Sequence, residues 1–215
     1  AQQIQDQLAP CFDGGRAIAM AAYMRGRFVF MGIPAPLRRQ ATLPLIRAFT
    51  GDPADAARSL WALPQREYQY VAVDLLRRHG NRLGAAHWSA LEALVQSKSW
   101  WDSVDGLAVV IGGIVQRDPG LAVRMDNLIA ARDLWLRRVA LLHQLEWQGG
   151  TDRPRLFDYC LRCAGESEFF IRKAIGWALR QYAWTDPAEV RRYVRAHEGE
   201  LSGLSVREAL KNIPD

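Results

Sequence analysis

The sequence has 215 residues, of which 49% are apolar, and this is enough for one sizeable core in a single domain covering residues 1–215. Its 28 Lys and Arg exceed its 23 Asp and Glu, and the net charge of +5 favours an anionic partner over a neutral one. The longest apolar run, residues 106–115, is too short to span a bilayer, so we expect no membrane segment.

The start of the chain lacks a basic region followed by an apolar one, so we also expect no signal peptide. Cysteines are few, which argues against a disulfide framework and for a reducing, cytoplasmic location. Cys160 and Cys163 have metal-ligand spacing but no second pair and no nearby His, and the four His residues are scattered. We therefore predict two core thiols, no metal and no cofactor.

Apolar residues recur at intervals of three and four along nearly the whole chain, with Gly or Pro between the runs, and strand-like alternation is nowhere sustained. The pattern predicts an all-α chain of short helices. A first helix is predicted at Arg16–Arg25, and a second begins at Pro36. Later helices are predicted at Pro53–Leu63, Gln65–Arg78, Ala85–Ser97, Asp102–Arg117, Leu121–Ala130, Asp133–Trp147, Arg155–Ala164, Glu168–Tyr182, Pro187–His197 and Ser205–Asn212.

An internal repeat relates four of these helices. When they are aligned, one aromatic residue occupies positions 68, 101, 135 and 170, at intervals of 33, 34 and 35 residues. Such a period, with one helix pair per unit, is typical of a HEAT-like or tetratricopeptide-like solenoid, and the signatures of the tetratricopeptide and ankyrin classes are missing. We therefore predict an all-α solenoid of HEAT-like helix pairs, and solenoids bind their partners on the concave face.

The stretch 97–105 concentrates residues that could carry chemistry, because two indoles and two carboxylates lie beside Lys98. In a helix, Trp101 and Asp105 are four residues apart and share one face. The alternative interpretation makes Trp101 a core residue and Asp102 or Asp105 an N-cap or first-turn acid. The stretch by itself leaves both interpretations open.

The repeat register adds cations to this stretch. Arg138 and Lys173 lie three positions after their aligned aromatic residues, and Trp177 lies seven positions after position 170. The basic residues of the chain also recur as doublets: Arg38-Arg39, Arg77-Arg78, Arg137-Arg138, Arg172-Lys173 and Arg191-Arg192. Cations interleaved with aromatics favour a nucleic-acid surface, although aromatics in the core with cations on a solvated face remain the common alternative.

Four segments together resemble the HEAT-like alkylpurine DNA glycosylases of the AlkD family, over about residues 19–213. The segments are Tyr23–Ile33, Ser97–Asp105, Leu134–Ala140 and Phe169–Trp177. The resemblance implies a right-handed solenoid of HEAT-like helix pairs with a concave basic face that binds DNA. In that family a tyrosine, two tryptophans, an aspartate and an arginine surround the lesion nucleotide. The resemblance places these on the following residues: Tyr23, Trp101, Trp177, Asp105 and Arg138.

The resemblance implies a monofunctional DNA N-glycosylase that releases 3-methyladenine, 7-methylguanine and related cationic purines from double-stranded DNA, without flipping the base into a pocket. Asp105 would stabilise the sugar cation and activate water, and the two indoles would face the cationic nucleotide. Arg138 would hold the phosphate that flanks the lesion, and further contacts to DNA are expected from Lys173, Lys98, Arg172 and Arg180. We expect the enzyme to act as a monomer.

Two other classes of function stay open at this point. A non-catalytic HEAT-like protein that binds distorted or branched DNA would be favoured if Asp105 or either tryptophan were replaced, and none is. A protein-binding scaffold, the commonest use of helical solenoids, is disfavoured by the basic doublets and by the pairing of Trp101 with Asp105.

Overall fold

Short α-helices joined by turns make up the protein in its computed structural model, which describes residues 1–213. Over this range the chain forms thirteen α-helices, and its β-structure is limited to an isolated bridge between Val29 and Gln65. The all-α prediction is therefore confirmed. No helix within residues 1–213 combines the length and the apolar character needed to cross a membrane.

The chain divides into two units, one formed by residues 1–94 and the other by residues from 95 onward. That these units belong to one domain stays a prediction. The N-terminal unit contains α1 to α5, and a sixth helix straddles the boundary. Their bounds are α1 Gln2–Leu8, α2 Gly14–Tyr23, α3 Ala35–Ala48, α4 Pro53–Trp61, α5 Arg66–Arg78 and α6 Trp88–Gln96.

The segment that follows α2 is fixed to the start of α5 by a buried carboxylate. Glu67 accepts hydrogen bonds from the backbone amides of Met31 and Gly32 at 2.9 Å and from that of Ile33 at 3.1 Å. Gly32 has a φ of +81°, and a Cβ there would lie 2.0 Å from the carbonyl oxygen of Asp13. Only glycine fits this turn. The carboxylate thus determines the path of the chain just after α2.

The C-terminal unit contains the remaining seven helices, which alternate between two rows. Helices α7, α9, α11 and α13 pack against one another in that order, and α8, α10 and α12 pack beside them, as expected for HEAT-like helix pairs. Their bounds are α7 Trp101–Arg117, α8 Ala122–Ile129, α9 Leu134–Leu142, α10 Arg153–Arg162, α11 Phe169–Tyr182, α12 Pro187–Ala196 and α13 Gly203–Leu210.

The sequence missed one helix and misplaced the end of another. Helix α1 was not predicted, because only Ile4 and Leu8 of its seven residues are buried and the others are mostly Gln. Helix α9 ends at Leu142 and not at Trp147. After it, the ring of His143 turns back to the carbonyl of Ala140, at 2.6 Å, and residues 143–146 form a turn.

Candidate functional site

Asp105 and Arg138 form an ion pair between neighbouring helices of the C-terminal unit. Asp105 lies on α7 and Arg138 on α9, and their two hydrogen bonds are 2.7 Å (Nε to Oδ1) and 2.9 Å (Nη2 to Oδ2). The arginine side chain is only 4% exposed, and its Nη1 donates to the carbonyl of Phe170. A planar two-point contact of this kind fixes the orientation of the carboxylate.

The Asp105 carboxylate is nearly buried, with 16% of its side chain exposed. Burial raises the pKa of Asp105 above the ordinary value of a carboxyl, against the hydrogen bonds and positive charge of Arg138, which lower it; the charge of Asp102 raises it further. The carboxylate therefore combines a fixed orientation with weak solvation, and both properties suit a group that acts on a nearby cation.

The alternative interpretation of Asp105 as a helix-capping acid does not hold. Helix α7 begins at Trp101, so Asp105 lies in the second turn, and its two oxygens are occupied by Arg138. The first-turn acid of this helix is Asp102, whose Oδ1 accepts from the amide of Ser103 at 3.0 Å.

The aromatic residue of α7 that was predicted to align with positions 135 and 170 is Trp101, but the ring that packs against those two residues is that of Trp100. Trp100, and not Trp101, meets Trp135 and Phe170, with ring centroids 5.7 and 4.9 Å away. Trp100 is 5% exposed and has an extended backbone just before α7, so it points into the core, whereas Trp101 is half-buried at the first position of the helix. Trp101 and Asp105 remain four residues apart on the same helix.

Trp177 lies on α11 next to the closest approach between α11 and α13. A Cβ on Gly176 would lie 2.8 Å from the carbonyl oxygen of Ser205 and 2.4 Å from Cβ of Glu208, so α13 packs directly on this turn. The buried hydroxyl of Ser205 donates to the carbonyl of Arg172 at 2.9 Å. This packing fixes the helix turn that carries the half-buried Trp177.

Glu208 joins two of the predicted DNA-binding cations. Its Oε1 accepts from Lys173 at 2.7 Å and its Oε2 from Arg180 at 2.6 Å. The hydrogen bonds and charges of these two cations hold the pKa of Glu208 below its ordinary value, although its partial burial opposes this. Lys173, Trp177 and Arg180 are four and three residues apart, so they lie along one face of α11.

The other predicted contact residues occupy separate places. Tyr23 is 73% exposed at the end of α2, in the N-terminal unit. Lys98 is half-buried just before α7, with a φ of +51° that is unusual for a residue with a side chain. Nε of Arg172 donates to the carbonyl of Glu166 at 2.7 Å, so this cation is tied to the turn before α11.

The structure therefore brings together Asp105 with Arg138, and Lys173 with Arg180. Sequence reasoning missed Glu208, although a signal for it existed: Glu208 follows Lys173 by 35 residues, nearly the 33 that separate Asp105 from Arg138. Extending the repeat register by one unit would have found it. Within residues 1–213, no group of three or more His, Cys, Asp or Glu side chains could hold a metal ion.

Comparison with known proteins identifies a family and a similar solved structure. Residues 4–213 match the sequence profile of a family described as DNA alkylation repair enzyme. Among solved structures, a predicted DNA alkylation repair enzyme from Enterococcus faecalis is similar to this chain, with a TM-score of 0.85 and 34% sequence identity over 95% of this chain and 97% of that one. No curated protein matches the chain significantly.

Proposed function

Because the chain belongs to the DNA alkylation repair enzyme family, we propose that it is a monofunctional DNA N-glycosylase that releases N3- and N7-alkylated purines from duplex DNA. The observation that carries this proposal is the oriented, weakly solvated carboxylate of Asp105, held by Arg138 and placed one helix turn after Trp101. A protein that only binds distorted DNA has no need of such a carboxylate.

The proposed chemistry starts from the charge of the lesion. Alkylation at N3 or N7 makes the purine a cation and a good leaving group, so its glycosidic bond is already weakened. As the base departs with the bonding electrons, positive charge develops on the deoxyribose. Asp105 stabilises that charge electrostatically, and it orients or deprotonates the water that attacks C1′. A raised pKa makes Asp105 a stronger base than an ordinary carboxylate.

The two indoles supply selectivity for charge. Trp101 lies one helix turn before Asp105, and Trp177 lies on α11 between the cations Lys173 and Arg180. An indole face attracts a cationic nucleotide by about 0.5–2 kcal/mol per contact. We infer that both side chains face the lesion nucleotide and shield Asp105 from bulk water.

Arg138 is proposed to position the carboxylate of Asp105, in addition to the phosphate contact that the resemblance implied. Three of its five N–H groups are used by Asp105 and Phe170, so it acts mainly as the residue that positions the carboxylate. The two remaining N–H groups, one on each Nη atom, are those that could donate to the phosphate flanking the lesion. We propose that both roles coexist.

The remaining contacts are proposed to be with the DNA backbone, which sets register without reading sequence. The residues are Tyr23, Lys98, Lys173, Arg172 and Arg180. Lys98 lies before the start of α7 and so is not on the helix face that carries Asp105. We therefore infer that no lysine forms a Schiff base with the sugar and that the strand is not cut. The product is then an abasic site, the starting point of base excision repair.

Incubation of the protein with methylated and unmodified duplexes tests this proposal directly. Released base is separated by chromatography, and the strand is examined before and after alkaline treatment. We expect 3-methyladenine or 7-methylguanine in the soluble fraction of the methylated sample, with strand breaks only after alkali. Binding of the methylated duplex without base release would instead favour a non-catalytic DNA-binding protein.

A further inference from the structure

Two arginine doublets that the proposed lesion site does not use lie on the same cleft of the N-terminal unit. Arg38-Arg39 belongs to α3, and Arg77-Arg78 ends α5. The two helices pack together, and a cleft of about 320 Å³ lies between them. Three of the four arginines line it, and these three are exposed: Arg39, Arg77 and Arg78.

This arginine cleft has a mainly apolar floor and charged residues around it. Its floor contains Thr42 and Ile46, both almost fully buried, together with Leu43. The carboxylate in the cleft is that of Asp74, which pairs with Nη2 of Arg38 at 3.2 Å and with Nε of Arg39 at 3.5 Å. One carboxylate thus serves two guanidinium groups, and Arg78 adds a third guanidinium to the cleft.

The balance of charge leaves the cleft positive. Arg38, Arg39 and Arg78 outnumber Asp74, so that these four residues carry a net charge of +2. Arg38 is nearly buried against the ring of Tyr70, and its Nε has no hydrogen-bond partner within the described residues. Buried donors are normally satisfied, so the local arrangement is rich in donors and short of acceptors.

We propose that the arginine cleft binds phosphates of the DNA backbone, as a contact that shares no residue with the proposed lesion site. Guanidinium groups match phosphate geometry with paired N–H donors, and the apolar floor suits the C–H face of a deoxyribose. The volume lies at the lower end of the range for small-molecule sites, about 300–1,000 Å³, and so fits a short piece of one strand. The inference rests on the proposed function only in taking DNA as the partner.

The test uses undamaged duplex, so that it does not depend on base release. Fluorescence anisotropy of a short labelled duplex gives the affinity between about 50 and 200 mM salt for the wild type, Arg39→Gln and Arg78→Gln. The plot of log K against log salt has a negative slope, and each variant should make it shallower by about 0.9. Its affinity loss from 50 to 200 mM salt is then smaller by about 3.5-fold.

Arg58→Gln is the matched control, because Arg58 is an exposed arginine on α4 that pairs with Asp55 at 2.6 Å and does not line the cleft. It changes the net charge by the same single unit and should keep the wild-type slope. Thermal unfolding of all four proteins identifies any variant that fails to fold. If one of the two cleft variants does not fold, the other one serves as the test. Slopes of both cleft variants equal to that of the control would overturn the proposal.

Two further outcomes are distinguishable. If no protein releases base from methylated duplex, the proposed glycosylase activity fails while the slope measurement still decides the role of the cleft. If the cleft variants lose binding to vesicles of phosphatidylglycerol but keep the wild-type slope on DNA, the partner is an anionic membrane surface and the proposal is wrong.

Discussion

Asp105 and Arg138 are 33 residues apart, one repeat of the helix pairs, and they share two hydrogen bonds between α7 and α9. Similar spacings join other helices: Arg38 meets Asp74 across 36 residues, and Lys173 meets Glu208 across 35. In each of three helix pairs, α3 with α5, α7 with α9 and α11 with α13, one helix thus supplies a cation and the other a carboxylate. At the proposed lesion site this shared device orients the carboxylate.

Asp105→Asn should reduce base release by about 10²–10³-fold, the range seen when one electrostatic contact to a transition state is removed. Asparagine keeps an oxygen for Arg138 but loses the negative charge, so affinity for duplex DNA should be nearly unchanged. Single-turnover release from methylated duplex gives the rate. Asp102→Asn removes a carboxylate from the same helix without touching Arg138, and it should retain most activity; equal losses in both variants would contradict a special role for Asp105.

The rate should depend on pH through Asp105. Only the ionised carboxylate stabilises the sugar cation, and burial raises its pKa, so the rate should fall on acidification at a higher pH than the ordinary aspartate value of about 3.9. Arg138→Gln removes a charge and hydrogen bonds that lower this pKa, and it should move the acid limb further upward. Arg137→Gln, whose side chain pairs with Glu166 instead, should leave the limb in place.

Lys173→Ala should weaken binding to any duplex and lower the salt slope by about 0.9 if the ammonium contacts a phosphate. Glu208→Gln should do the opposite, because the carboxylate competes with phosphate for Lys173 and Arg180. Affinity for undamaged duplex should then rise and its salt dependence steepen. Glu200→Gln, which alters an exposed carboxylate paired with His197, makes the same change in net charge and should have little effect.

His143 should make folding stability sensitive to acid. Burial lowers the pKa of His143 from 6.5 to about 4, so below pH 6.5 the unfolded chain takes up a proton that the folded protein refuses until about pH 4. Stability should therefore fall by about 3 kcal/mol as the pH drops through this window. Urea unfolding at its two ends measures the difference. His143→Gln should reduce it, and His197→Gln, at a half-exposed position, should not.

The features that the sequence predicted correctly are those that depend on interactions within one helix. The spacing that put Trp101 and Asp105 on one helix face is a property of the helix itself, and it holds in the structure. The packing of Trp100 against Trp135 and Phe170 was not foreseen, because Trp100 lies just outside the helix, where its extended backbone turns it inward and the helical period no longer applies.

Interactions between distant segments were harder to foresee. The anchoring of residues 31–33 by Glu67 needs a carboxylate aimed at three backbone amides, and no spacing rule reports the direction of an amide. The partnership of Asp105 with Arg138 was foreseen only as a shared surface, and the burial that changes the role of Arg138 depends on how α9 and α11 pack.

The proposed site predicts which sizes of lesion the protein accepts. The side chains of Asp105 and Trp101 project from one face of α7, and we expect them to meet the sugar and phosphate from outside the duplex. Enzymes that extrude a base into a fitted pocket are limited in the size of lesion that they accept. Here recognition is proposed to go through the cationic deoxyribose and the backbone, so the alkyl group is not enclosed.

Duplexes carrying a methyl adduct, a bulky cationic N3 or N7 adduct, or uracil provide the measurement. Base release should be similar for the first two and absent for uracil, which is neutral and leaves poorly. Release of the methylated base with none of the bulky one would show that the base enters a confined pocket, and the open-site proposal would then be wrong.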